Sequence, residues 1–124
     1  MNKKRPVNLD LATMRFPVMA IASIFHRLSG IGIFVLLPFM MWYLHASLQS
    51  EKSFIATKSL LGSPIHLIII WAFLVSLGYH ILAGLRHIFM DLGWGEDLSS
   101  GRKSAATVIV IAIILAILAG IWIW

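Results

Sequence analysis

Three stretches of this chain, residues 28–48, 65–85 and 105–124, carry no formally charged side chain. At 1.5 Å per residue, each is long enough to cross a hydrocarbon layer of about 30 Å as a helix. Backbone N–H and C=O groups find no water at that depth, so each run must satisfy its hydrogen bonds within itself. The expected fold is an all-α integral membrane protein of one domain, with transmembrane helices at about 20–48, 64–90 and 105–124. Composition agrees, because 60% of the residues are hydrophobic and only 12% are charged.

Several function classes drop out at once. With no cysteine in the chain, disulfides, thiolate iron–sulfur ligation and covalent haem attachment through cysteine are excluded. A redox centre in this chain would have to be held by histidine. The formal net charge is +5, yet the basic residues crowd the segments that flank the spans and form no groove interleaved with aromatics. Nucleic acid is therefore not an expected partner, whereas membrane lipid is.

Residues 1–17 form a basic arm, with Lys3, Lys4, Arg5 and Arg15 against Asp10, and with Pro6 and Pro17 discouraging a continuous helix. The arm has neither the short apolar core of a secretory signal nor the amphipathic Arg- and Ser-rich character of a transit peptide. Retention of the first span and a bacterial inner membrane are the expectation. Pro38 is expected to bend that span, and Ser63-Pro64 reads as the entry to the second. The connections, residues 49–63 and 92–104, read as a polar link and a solvated loop. Five Lys and Arg precede or open the first span and three flank the second loop, against two in the first loop. By the positive-inside rule the N-terminus and second loop are cytoplasmic and the C-terminus periplasmic. In the third span Ala112, Ala116 and Gly120 recur every four residues, a stripe suited to close helix packing.

This topology brings Ser23, His26 and Arg27 to the same depth as His80, Arg86 and His87. His80 and His87 are seven residues apart, on one helical face and roughly 10 Å apart along the axis. Ser76 and Gly84 are expected to leave room beside His80 for a flat ligand. An imidazole inside a span suits an axial haem ligand, but it also suits an interhelical hydrogen bond, and both readings stand. A second axial ligand would come from His26 or from another subunit. Ser23, Arg27 and Gly30 recur at i, i+4 and i+7, placing a hydroxyl and a guanidinium above a residue without a side chain. That arrangement could stabilise the charge a quinone gains on reduction, while Arg27 could equally snorkel to headgroups. His26 and Arg86 could pair with haem propionates, or Arg86 could simply anchor topology. His45 and His66, near the outer ends, carry no assigned role. Asp91, Glu96 and Asp97 could relay protons or belong to an ordinary solvated loop.

Two motifs and a short lead-in carry a family resemblance. Arg5-Pro6, then Ser23-x-x-His26-Arg27-x-Ser29-Gly30, and His80-x-x-x-Gly84-Leu85-Arg86-His87-x-Phe89-Met90-Asp91-x-Gly93 resemble the cytochrome b membrane anchors of succinate dehydrogenase, respiratory complex II. The resemblance covers most of the chain. It implies half of a heterodimeric membrane-anchor bundle, completed by a second three-helix anchor. It further implies a flavoprotein and an iron–sulfur subunit on the cytoplasmic side, supporting electron transfer from succinate to ubiquinone in the tricarboxylic acid cycle and respiratory chain. Succinate would not be oxidised by this chain. By carry-over, His80 is one axial ligand of a haem b shared with the second anchor, which supplies the other. Ser23 and Arg27 line the quinone pocket, and His26 and Arg27 lie near the haem propionates, with Arg86 in the haem environment. A purely structural anchor without cofactor is the competing expectation.

Overall fold

A computed structural model describes residue 10 and residues 13–124. Most of the basic arm, including Lys3, Lys4, Arg5 and Pro6, lies outside the described residues. Four helices follow in order, α1 (Val18–Ser47), α2 (Glu51–Leu61), α3 (Pro64–Asp91) and α4 (Leu98–Ile123). Three of them, α1, α3 and α4, are long and apolar enough to cross a membrane. The all-α, three-span architecture expected from the uncharged runs is thus observed. α3 is the central helix and packs along both α1 and α4, which touch each other less.

Helix ends follow local chemistry. Pro17 precedes the first residue of α1, and the helix runs through Pro38 without interruption. Pro64 takes the first turn of α3, where its missing N–H costs nothing. Ser63 sits at the N-cap position as expected, but its hydroxyl bonds His66 Nδ1 at 2.7 Å instead of capping the backbone.

Two expectations need correction. The polar link is not irregular, because residues 51–61 form α2. Ser50 accepts the Ser53 backbone N–H at 3.1 Å, and Glu51 and Lys58 complement the helix dipole at its two ends. The second connection is also shorter than expected, since α4 starts at Leu98 instead of Ala105. Asp97 caps it by accepting the Ser100 N–H at 2.9 Å and the Ser99 hydroxyl at 2.7 Å. Gly93 (φ 83°) and Gly95 (φ 74°) take the left-handed backbone that lets six residues turn the chain back. A Cβ on Gly95 would lie 2.9 Å from the Ser100 hydroxyl, so the turn is pressed onto the start of α4.

Three helices enclose little interior. The buried apolar positions are mainly small, Ala22, Ala83 and Ala105 among them, while Phe34 is 80% exposed. Small residues let helix backbones approach where lipid removes the hydrophobic drive to associate. Polar side chains then fasten α3 to both neighbours. The Tyr79 hydroxyl donates to the Ala22 carbonyl of α1 at 2.9 Å, and the Trp71 indole N–H to the Ala116 carbonyl of α4 at 2.9 Å. The Ala112, Ala116 and Gly120 stripe is therefore a packing surface, with α3 as its partner. A Cβ on Gly120 would meet Trp71 Nε1 at 3.4 Å, and Trp124 packs edge-on against the Trp71 ring.

The two hydrogen bonds to its carboxylate hold Asp97 below the usual carboxylate range, the Ser99 hydroxyl contributing most. A depressed folded-state pKa means the cap persists above the ordinary carboxylate pKa and weakens only as pH falls through the lowered value. Asp97→Ala should accelerate amide exchange at Ser99, Ser100 and Gly101 at neutral pH, measured by hydrogen–deuterium exchange. Asp97→Asn, which retains an N-cap acceptor, should restore most of the protection.

Candidate functional site

The crossing of α1 and α3 seats histidine rings over glycines in both directions. A Cβ on Gly30 of α1 would lie 3.2 Å from His80 Cε1, and one on Gly84 of α3 would lie 3.7 Å from His26 Nε2. One turn farther along, a Cβ on Gly32 would be 2.7 Å from the Ser76 hydroxyl. Gly84 therefore makes room for His26, and Ser76 packs on Gly32; neither clears the sides of His80 as the sequence suggested. His80 gets its space from Gly30.

Because the helices approach closely, three rings meet. His26 stacks on His80 with centroids 4.2 Å apart and planes 24° apart, and it tilts against His87 at 5.2 Å. His80 and His87, expected on one face of the helix, are joined through His26, whose ring touches both. Rings lying side by side in this way cannot direct nitrogens at one another across a flat ligand. The pairing of His26 and His80 as the two axial ligands of one haem does not fit this geometry.

Ser29, which sequence analysis passed over except within a motif, sets the chemistry of His80. Its side chain is only 8% exposed. The hydroxyl donates to the His26 carbonyl at 2.7 Å, so its proton is committed there. Ser29 Oγ lies 3.1 Å and the His26 carbonyl oxygen 3.2 Å from His80 Nδ1. With two acceptors facing it, Nδ1 must carry the proton; a lone pair there would oppose the carbonyl. The hydrogen-bond pattern puts a proton on Nδ1, so that in a neutral ring Nε2 is the lone-pair nitrogen.

His80 lines an open concavity of about 520 Å³ together with His26, Arg27, Gly30, Ile31 and Phe34. Arg27 is exposed there, a cation beside two imidazoles. His26 Nε2 is buried without a hydrogen-bond partner, the sole such side-chain atom among the described residues. That nitrogen lies against the Gly84 seat, 3.7 Å from where a Cβ would stand, inside the α1–α3 crossing. Ser23 is half-buried toward the start of α1 and is not on this wall. Arg86 turns the other way. It is 9% exposed and donates from Nε to the Ser104 hydroxyl at 3.0 Å and from Nη2 to the Gly101 carbonyl at 3.2 Å, tying α3 to α4. His45 and His66 sit at the far ends, bonded to Gln49 and Ser63. No group of three or more His, Cys, Asp or Glu side chains is placed to hold a metal ion among the described residues.

Comparison with known proteins matches residues 1–119 to the succinate dehydrogenase/fumarate reductase transmembrane subunit. The chain is 47% identical over 126 residues to the succinate dehydrogenase cytochrome b556 subunit of Coxiella burnetii, covering all of both chains. It is 33% identical to the protein of that name from Paracoccus denitrificans, covering 92% of this chain and 88% of the other. A cytochrome b560 subunit of succinate dehydrogenase from Reclinomonas americana is 26% identical, covering 98% of this chain and 88% of the relative.

The glycine seats make a graded prediction for thermal unfolding in detergent. Gly84→Ala adds a methyl at ordinary contact distance and a better helix former, so it should be neutral or stabilising by up to about 1 kcal/mol. Gly30→Val should instead destabilise by roughly 1–3 kcal/mol through overpacking against His80.

Proposed function

We propose a function for this chain from one premise: it belongs to the family of transmembrane subunits of succinate dehydrogenase and fumarate reductase. It is a membrane-anchor subunit of that enzyme class. We infer further that it helps bind haem b and ubiquinone, in partnership with a second three-helix anchor, an iron–sulfur subunit and a flavoprotein subunit. Succinate oxidation belongs to the flavoprotein. The second connection and the N-terminus face the cytoplasm and the C-terminus the periplasm, a reading supported by the distribution of Lys and Arg.

The observation that carries the haem assignment is the Nδ1–H tautomer of His80. An iron ligand needs a neutral imidazole with one nitrogen free and the other anchored as a donor. His80 Nδ1 is anchored by Ser29 and the His26 carbonyl, so Nε2 is the ligating atom. The rest of the concavity fits the same group. Gly30 leaves space against α1, and the exposed Arg27 guanidinium would supply a polar contact for propionates, with His26 on the same wall and His87 adjacent to His26. With His26 stacked beside His80, a second histidine for the haem would come from the other anchor. Bound haem b supplies a centre that accepts and returns one electron.

Ubiquinone gains negative charge on its carbonyl oxygens as it is reduced, and it must then take up protons. Arg27 holds a fixed positive charge toward that oxygen, and the Ser23 hydroxyl donates a hydrogen bond to it. Ser23 lies beyond the concavity toward the start of α1. On this reading Ser23 and Arg27 would hold the quinone headgroup, and Arg27 would be shared with the haem site.

Replacing His80 with Leu should abolish the b-type Soret absorbance of the purified complex, and a fully loaded bis-histidine spectrum would refute ligation by His80. Ser29→Ala removes one acceptor from Nδ1–H. Haem retention should weaken by about 10-fold, the lower end for loss of such a supporting bond, with an upward shift of the haem midpoint potential as the ligand becomes less basic. Arg27→Gln and Ser23→Ala should each lower ubiquinone reduction, by roughly 100-fold for Arg27. Succinate oxidation by a soluble acceptor should persist; equal loss of both activities would mean failed assembly.

A further inference from the structure

A second cavity, of about 600 Å³, lies between the end of α3 and the first turns of α4. Its lining shares only Arg86 with the residues expected around haem, and that side chain is bonded to α4, away from the histidines. Its polar end is formed by Arg86, Ser100, Ser104 and Trp94, and its deeper walls by Leu82 and Val108. The glycine turn shapes it, since Gly95 can press against Ser100 only because it lacks a Cβ. Trp94 closes the rim by stacking on Phe89, with centroids 5.7 Å apart and planes 5° apart.

Arg86 is the anomaly in this cavity. The residue is only 9% exposed, yet its protein partners are neutral, a hydroxyl and a carbonyl. No carboxylate lies within ion-pair distance among the described residues. Nη1 has no hydrogen-bond partner among the described residues and keeps some accessible surface, on a side chain that lines the cavity. A largely desolvated cation at a membrane boundary calls for an anion. Arg102 and Lys103, both exposed on the first turns of α4, add positive charge nearby, offset by Asp91, Glu96 and Asp97, so Arg86 itself is the charge that matters.

We propose that this cavity binds an anionic phospholipid, with Arg86 as counter-ion to the phosphate and the acyl chain lying along Leu82 and Val108. The order of the lining decides between a lipid and a free anion. Guanidinium and hydroxyls sit at the water side, where a phosphate ester offers oxygens for paired N–H donors. One turn farther into the span on each helix, Leu82 and Val108 offer apolar walls with which inorganic phosphate could make no favourable contact. A headgroup and chain match both halves, and the uncompensated charge of Arg86 favours an anionic headgroup over a zwitterionic one, which brings its own ammonium.

The test uses the assembled complex and phosphatidylglycerol carrying a photoactivatable group on its acyl chain, with labelled peptides mapped by mass spectrometry. Labelling should concentrate at Leu82 and Val108 and their neighbours. Unlabelled phosphatidylglycerol should displace it at about tenfold lower concentration than phosphatidylcholine, the discrimination expected for one charge-assisted contact. Ser100→Glu, which places a competing carboxylate beside an intact Arg86, should cut labelling by a similar factor, whereas Ser100→Ala should not. Equal competition by phosphatidylcholine, label spread evenly over the lipid-facing surfaces of α1 and α4, or no label because a neighbouring subunit fills the cavity would each overturn the proposal. Displacement by inorganic phosphate would also overturn it, reassigning the site to a free anion. If Ser100→Glu fails to assemble, the competition between the two lipids in the unmodified complex decides.

Discussion

The seating of His80 over Gly30 and of His26 over Gly84 fixes how closely α1 and α3 can pass, and the remaining chemistry depends on that distance. Only at this approach does the His26 carbonyl come within 3.2 Å of His80 Nδ1 and Ser29 within 3.1 Å. The cost is intrinsic helix stability, up to about 1 kcal/mol for each glycine relative to alanine. Individual interhelical hydrogen bonds in a membrane return about 0.6 kcal/mol on average, so they do not clearly outweigh it. The glycines make sense as the condition for holding one imidazole in one tautomer, more than as a source of stability.

A bundle of three helices with α3 in the middle has no enclosed core, and its cohesion is distributed accordingly. Small residues at the contacts allow close approach, and Tyr79, Trp71 and Arg86 each reach from α3 to a carbonyl or hydroxyl of a neighbour. The large apolar side chains point outward, toward lipid or another subunit. The same incompleteness shapes the site. The concavity at His80 is open on one side, and its second histidine is stacked beside the first instead of facing it, so a ligand held there needs a group from a neighbouring chain.

Legibility in the sequence followed the range of the interactions involved. The spans were readable because an uncharged run of membrane length has few alternatives. α2 was not, since its polar residues show no apolar period and its evidence is confined to the Ser50 cap. The early start of α4 was hidden because Arg102 and Lys103 look like loop residues until Asp97 is seen capping Ser99 and Ser100. Ser23, Arg27 and His80 were singled out by residue type and spacing, but the crossing decides what they meet. That His26 would lie between His80 and His87, and that Ser29 would hold Nδ1, depends on contacts between residues more than fifty positions apart. One signal was available and unused. At 100° per residue, Arg86 lies about 120° around α3 from His80, too far to share its face.

That angular difference gives the two arginines opposite parts. Arg27 is exposed at a concavity with its charge uncommitted, as an electrostatic contribution to a reacting oxygen requires, because a cation already paired in the protein would have little left for developing charge. Arg86 is withdrawn, and two of its donors are spent on Ser104 and Gly101, so its position is fixed by the joint between α3 and α4. Exchanging the two environments would fail on both counts. An Arg27 tied down like Arg86 would be screened from the ligand, and an Arg86 as open as Arg27 would no longer hold the first turns of α4 against α3. The two arginines stand one on each helix, Arg27 open at a concavity and Arg86 fixed at the joint between α3 and α4.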